Sequence, residues 1–344
     1  MNIAVLAGGY SPERDVSLTS GSLIANALIS EGHNVCLADV YLGIKDEDLN
    51  EKTPFNRELK PVYKVDNNVP DLASLKEKSG NGEALIGRGI IELCRAADVV
   101  FLALHGAMGE NGQLQATLDN YGIKYTGSGY VGSLLAMDKD ISKKMFTGAG
   151  VRTPQWLYFK AKDGDIALIE EKIGYPCVVK PCSCGSSVGI SIVDDRAGLE
   201  IALAEAGKYE DSILVEKKIE GRELTVGILD GEVLPAIEII PTEGFYDYKN
   251  KYQAGKTLEI CPAPISDEIK SALEEQTLRA FEALRLSGYS RFDYIVDENG
   301  DPWCLEANTL PGMTPTSLLP QMAAATGMTY GTLCSKIVEL ALKK

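Results

Sequence analysis

The opening forty residues constrain the fold most tightly. Asn2 to Gly8 (NIAVLAG) reads as a strand running into a Gly/Ser turn, a helix is expected from about Ser17 to Glu31, and Asn34 to Val40 reads as a second strand. A strand, a helix and a strand in that order form a β-α-β unit, which predicts a parallel sheet. The sheet is expected to resume at Asp98 to Leu104 (DVVFLAL), with a helix following from about Gly112 to Asn120. Between them, Gly43 to Gly89 is polar and lacks clear periodicity, so it reads as a surface excursion or a lid-like insertion.

A second unit begins after Gly129. Ser133 to Phe146 is helical in pattern, and Thr153-Pro154 stops it and opens a strand through Phe159. Helix and strand signals alternate to Asp195. Ile213 to Glu216 and Glu223 to Leu229 read as strands, the latter followed by a hairpin turn at Asp230-Gly231. Pro241 to Gly255 clusters Tyr, Gly and Lys and reads as a mobile aromatic loop. Ser266 is placed to cap a helix reaching Leu286, two strands flank the turn Asp297 to Asp301, and a last helix runs from about Tyr330 to Leu342.

Composition removes several function classes. With 344 residues, 45% of them hydrophobic and 24% charged, the chain has the balance of a soluble globular protein and the length for two or three domains. A formal charge of −15 argues against a nucleic-acid partner, so any phosphate must be met by locally focused Lys, Arg, backbone N–H groups or a metal ion. No run approaches a membrane span and the N-terminus has no basic n-region, so a cytoplasmic protein without a membrane partner is expected. The eight cysteines form no C-x-x-C pair and are expected to be reduced; with only His33 and His105 beside them, a zinc site fits poorly.

Asp293, Glu306 and Asn308 lie on the two arms of the last expected hairpin, where the turn folds Asp293 back beside the other two. Glu306 and Asn308 differ by two and share one face of a strand. Hard oxygen donors on neighbouring strands suit magnesium, although three such residues alone better suit an acidic surface hairpin. Arg291 faces the same way, and Asn308 leads into a Gly/Pro-rich segment suited to binding. Lys180 is followed by Gly185-Ser186-Ser187-Val188-Gly189, a loop able to fold over phosphates or to serve as a plain hairpin turn. In ILVEKKIEGREL, Glu216, Lys217, Ile219 and Glu223 could supply an apolar wall, a polar edge and a carboxylate for adenosine, or form a solvated strand end. Glu13, in Gly8-Gly9-Tyr10-Ser11-Pro12-Glu13-Arg14, sits where the first strand gives way to a helix, and His105 and Glu110 occupy the same end of a later strand. A glutamate there suggests an ammonium ligand. His33 precedes a strand and reads as a surface residue.

Taken together, GGYSPERDVSLTSG, LHGAMGENGQLQ, YTGSGYVGSLLAMDK, VVKPCSCGSSVGI, VEKKIEGRELTVGIL, FYDYKNKY, SRFDYIVD and EANTLPGMTPTSLLP resemble the D-alanine:D-alanine ligases of the ATP-grasp superfamily, in the family's order and over nearly the whole chain. The resemblance implies an α/β fold, α+β in its ATP-binding part. Residues 1–129 would form an N-terminal parallel-sheet domain on the substrate side, 130–222 a central ATP-grasp subdomain, and 223–344 a C-terminal one. It implies that ATP phosphorylates one D-alanine and that the amine of a second attacks the acyl phosphate. Lys139 and Lys180 would meet ATP phosphates, with Ser187 and Lys251 also binding ATP; Glu216, Lys217 and Ile219 would meet adenine and Glu223 ribose. Asp293, Glu306 and Asn308 would bind two magnesium ions, replaceable by manganese. Glu13 would hold the first D-alanine's ammonium, linked through Ser186 to Tyr252, with His105 also at the substrate. Arg291 and the backbone at Gly312 would stabilise the oxyanion, and Ser317 and Leu318 would grip the second carboxylate. A homodimer is implied by resemblance alone.

Two departures stand out: Cys182-Ser183-Cys184 replaces polar or charged residues, and Asn111 replaces an aspartate, with a local helix cap at stake. The competing readings are a ligase of D-alanine to D-serine or D-lactate, the lactate branch being opposed by Lys251-Tyr252, which resembles the dipeptide-forming branch, and a non-catalytic nucleotide-binding regulator. The regulator would have lost some of Arg291, Asp293, Glu306 and Asn308, and all four are present.

Overall fold

In the computed structural model, which describes residues 1–44, 54–63, 70–185, 188–241 and 257–344, the expected parallel sheet opens the chain. β1 (Asn2–Ala7) lies between β2 (Asn34–Asp39) and β3 (Val99–Leu102), parallel to both. Ile3 to Ala7 are fully buried, which explains their unbroken apolar run. The helix Arg14–Ser30 packs back on β1, and Gly21 permits the approach: a β-carbon there would fall 2.5 Å from that of Ala7.

The described parts of the polar excursion are more ordered than periodicity suggests. Asn56 bridges to Val35, and the Asn26 amide brackets the Lys60 backbone, accepting its N–H at 2.7 Å and donating to its carbonyl at 3.0 Å. A helix forms over Leu72–Ser79, its N-terminus capped by Asp71 and its end turned by Gly80 at φ +67. None of its residues is buried, so an apolar pattern had nothing to report.

Two antiparallel sheets follow. The first has order β4-β7-β5-β6, from β4 (Trp156–Lys160), β5 (Cys177–Pro181), β6 (Ser191–Val193) and β7 (Ser212–Lys217). The second has order β11-β10-β8-β12-β13, with β9 on β8, from β8 (Arg222–Leu229), β9 (Glu232–Val233), β10 (Ile237–Pro241), β11 (Thr257–Ile260), β12 (Tyr289–Val296) and β13 (Pro302–Asn308). Asp230 and Gly231, at φ 56 and 79, make the expected tight turn between β8 and β9.

The single helix expected over Ser133 to Phe146 is two, Tyr130–Met137 and Lys139–Gly148. Asp138 breaks it: its backbone is extended and its carboxylate accepts the Ile141 N–H at 2.9 Å, so a local cap overrides a continuous pattern.

Three apolar clusters hold these layers. One lies beneath the antiparallel sheet of β4 to β7 and one beneath the sheet of β8 to β13. The cluster around β1 also takes in Leu319, Met322, Leu333 and Ile337, so the final helix Tyr330–Leu342 packs on Arg14–Ser30. Both ends of the chain thereby share one core.

Candidate active site

The hairpin of β12 and β13 brings the expected oxygen donors together. Asp293 stands opposite Glu306 and Arg291 opposite Asn308, with a bulge after Asp293. Phe292, Tyr294 and Val296 point into the core, which leaves Arg291 and Asp293 on the other face. Both Asp293 oxygens accept from Arg291, at 2.9 Å and 2.8 Å. The buried Thr225 hydroxyl of β8 donates to Asp293 Oδ1 at 2.7 Å, and Asn308 Nδ2 to Oδ2 at 3.0 Å. Glu306 faces a different cation: its Oε2 lies 3.3 Å from Lys139 Nζ, which also donates to the Cys184 carbonyl at 2.8 Å. Burial opposes the Lys139 charge, yet Glu306 outweighs it and holds the ammonium above its ordinary value. Each carboxylate is thus matched by a protein cation, the balance that a bound divalent ion would alter.

A cleft of about 520 Å³ opens between the two antiparallel sheets. Lys180, the segment Glu216 to Glu223, Asp293 and Glu306 line it, with Val178, Ile190, Ile192 and Ile239 as apolar walls. Lys217, Ile219 and Glu223 therefore share the cleft with Lys180. Glu216 is not a free adenine acceptor: it is 3% exposed and bonded to two lysines. Oε1 pairs with Lys180, and Oε2 lies 2.7 Å from Lys143. Burial works against this carboxylate, but Lys143 and Lys180 hold it below the usual range.

A second cleft, about 550 Å³, is lined by Glu13, His105, Glu110, Arg291, Glu306, Asn308, Gly312, Ser317 and Leu318. Glu306 lines both clefts. Gly106, at φ +82, makes room for Glu13: a β-carbon on it would fall 2.6 Å from Ser11 Oγ and 3.2 Å from Glu13 Oε2. Gly185, which starts the Gly/Ser loop, faces the same carboxylate, its β-carbon position being 3.6 Å away. Burial keeps the His105 imidazole below its ordinary pKa, against the nearby Glu13 charge. Burial likewise pushes the half-buried Glu110 carboxyl up to about 8; it accepts the Gly106 N–H at 2.8 Å. Ser317 caps the helix Leu318–Ala325 by position only, its Oγ accepting the Thr314 N–H at 3.1 Å instead. The first-turn amides of that helix have no acceptor within it, a geometry suited to a carboxylate.

The two departures from the family pattern turn out to be structural. The Cys182 thiol donates to Asp138 Oδ1 at 3.2 Å and is pushed by burial up to about 12, while Ser183 binds Glu210. Cys184 contributes its carbonyl to Lys139. Asn111 accepts the Gln113 N–H at 3.1 Å, serving the helix Gln113–Asn120. None of the eight cysteines, all among the described residues, is in a disulfide. Ser186, Ser187, Lys251 and Tyr252, with the aromatic loop expected over Pro241 to Gly255 beyond its first residue, lie outside the described residues. Lys143 joins the site without a motif of its own, its one signal in the sequence being a spacing of four from Lys139 that puts both on one helix face.

Comparison with known proteins gives a consistent set of likenesses. The family models described as D-ala D-ala ligase N-terminus and D-ala D-ala ligase C-terminus match residues 2–128 and 145–339. A D-alanine–D-alanine ligase from Pediococcus pentosaceus is 43% identical over 344 residues, covering 98% of this chain and 97% of the relative. Among solved structures, a D-alanine–D-alanine ligase from Bacillus anthracis complexed with ATP is similar at a TM-score of 0.77 and 31% identity, covering 100% of this chain and 98% of that one. The VanG D-Ala:D-Ser ligase from Enterococcus faecalis reaches 0.76 at 30% identity, covering 99% of each.

Proposed function

The chain belongs to the D-alanine–D-alanine ligase family, and from this premise we propose that it joins two D-alanines into D-alanyl-D-alanine, a peptidoglycan precursor, converting ATP to ADP and phosphate. The observation that carries the reading is Glu306, which lines both the cleft of Lys180 and Glu216 and the cleft of Glu13 and Ser317. Phosphoryl transfer needs a nucleotide and an acceptor carboxylate to meet, and the two clefts meet there.

In this reading ATP occupies the first cleft. Its adenine rests among the apolar walls beside Glu216, Lys217 and Ile219, its ribose reaches Glu223, and its phosphates face Lys180 and Lys139. The first D-alanine lies in the second cleft with its ammonium at Glu13 and His105. A carboxylate oxygen of that D-alanine attacks the γ-phosphorus, the bond to ADP breaks, and an acyl phosphate forms. The second D-alanine is held by its carboxylate at Ser317 and the Leu318 amide. Its neutral amine attacks the acyl carbon, the tetrahedral oxyanion meets Arg291 and the backbone at Gly312, and phosphate leaves with the original carboxylate oxygen. Protein cations on both sides of the reacting phosphoryl group oppose its charge.

The donor set also fits divalent cations. Asp293, Glu306 and Asn308 offer hard oxygens on adjacent strand positions, and two Mg²⁺ or Mn²⁺ ions held there would supply charge neutralisation at the phosphoryl oxygens. Family membership further supports a cytoplasmic homodimer; among the described residues no helix is long and apolar enough to cross a membrane.

The test is an omission series. ADP release should require ATP, D-alanine and Mg²⁺ together, and release undiminished without D-alanine would overturn the reading.

A further inference from the structure

Glu216 is a buried carboxylate shared by two lysines with different surroundings. Lys180 lines the nucleotide cleft beside it, whereas Lys143 is fully buried and lines no part of that cleft. Lys143 is also fixed on its far side. Its ammonium donates to Thr153 Oγ1 at 2.7 Å and to the Pro154 carbonyl at 3.3 Å, and it sits 5.5 Å from the centre of the Trp156 ring. Thr153 is itself tied to the Cys304 carbonyl at 2.8 Å. A lysine so held cannot reach a nucleotide, while Lys180 has two anions within its range: Glu216 and the phosphates of a nucleotide in the cleft.

We propose that Lys143 is a positioning residue for the nucleotide site, the standing counter-ion that keeps Glu216 ionised and in place so that Lys180 can turn to the phosphates. This rests on the nucleotide cleft assigned above. With Glu216 paired to Lys180 alone, drawing Lys180 toward a phosphate would strand a buried carboxylate, a costly state that would hold Lys180 back. With Lys143 in place, Glu216 keeps one cation throughout. Two lysines and one carboxylate also carry an excess positive charge, which an incoming phosphate offsets. The low ammonium pKa of Lys143 agrees with such crowding: burial pulls it down to about 8, Lys180 adds to the effect and Glu216 opposes it.

The experiment is calorimetric binding of ADP and of adenosine to the full chain and to Lys143→Met. Lost help to one charge-assisted phosphate contact should weaken ADP about ten- to a hundredfold and leave adenosine unchanged. At saturating ATP, kcat and the KM for D-alanine should stay near the wild-type values. Equal losses for ADP and adenosine, or no loss for either, would overturn the proposal. Should Lys143→Met fail to fold, Lys143→Met/Glu216→Gln is compared with Glu216→Gln. Once the carboxylate is gone, removing Lys143 should leave ADP affinity at the Glu216→Gln value, and a further loss of about tenfold or more refutes the counter-ion role. A wild-type chain that binds no ADP would sink the nucleotide cleft itself, and the role of Lys143 with it.

Discussion

Arg291 holds both carboxylate oxygens of Asp293, from two residues away on the same strand. A planar guanidinium satisfies two acceptors at once, and Thr225 and Asn308 complete the grip. The arrangement gives the two residues linked duties. In the proposed reaction Asp293 would offer its oxygens to a divalent ion as the donors of Arg291, Thr225 or Asn308 loosen, and Arg291 lines the cleft proposed to hold the oxyanion.

Arg291→Lys should therefore separate charge from geometry. Lysine keeps the charge but not the two-pronged donor. We expect kcat to fall about a hundredfold or more, the size of effect seen when an oxyanion donor is lost, with the KM for ATP little changed. Steady-state ADP release at saturating substrates measures this; a kcat within a few-fold of wild type would remove Arg291 from the oxyanion role.

Glu110 gives a pH signature. Its folded pKa of about 8 lies above that of an exposed glutamate, so the folded state binds its proton more tightly. Stability from this group is complete below about pH 4, and is lost as pH rises toward 8. At pH 8, Glu110→Gln should be the more stable of the two by about 1 kcal/mol, a figure reduced for the water around a half-buried carboxyl. At pH 5 the gap should shrink. Thermal unfolding of both proteins across this range, without substrates, is the check, and parallel pH profiles would refute it.

The parts of the site that were legible in the sequence are the ones built locally. Asp293, Glu306 and Asn308 come from one hairpin whose short turn sets the register, so spacing alone brought them together. The opening β-α-β unit was legible for the same reason. The Lys180–Glu216 pair joins strands 36 residues apart, and only the pairing of β5 with β7, which sets Val178 opposite Glu216, makes it visible. Lys143 was obscured by a general expectation that lysines on a helix face water. Here its helix packs against β13 and the helix Asp267–Ala283, and a buried glutamate at the end of β7 overrides that tendency. The packing of Tyr330–Leu342 on Arg14–Ser30 has no local signal, because it joins the two ends of the chain.

The central claim is that a D-alanine carboxylate takes the phosphoryl group before the peptide bond forms, and one isotope experiment addresses it. D-alanine labelled with oxygen-18 in its carboxylate is turned over with unlabelled ATP, and the phosphate and dipeptide are read by mass spectrometry. D-alanyl-D-alanine is the expected product, with one labelled oxygen in each phosphate released with it. Dipeptide formed alongside unlabelled phosphate would contradict it.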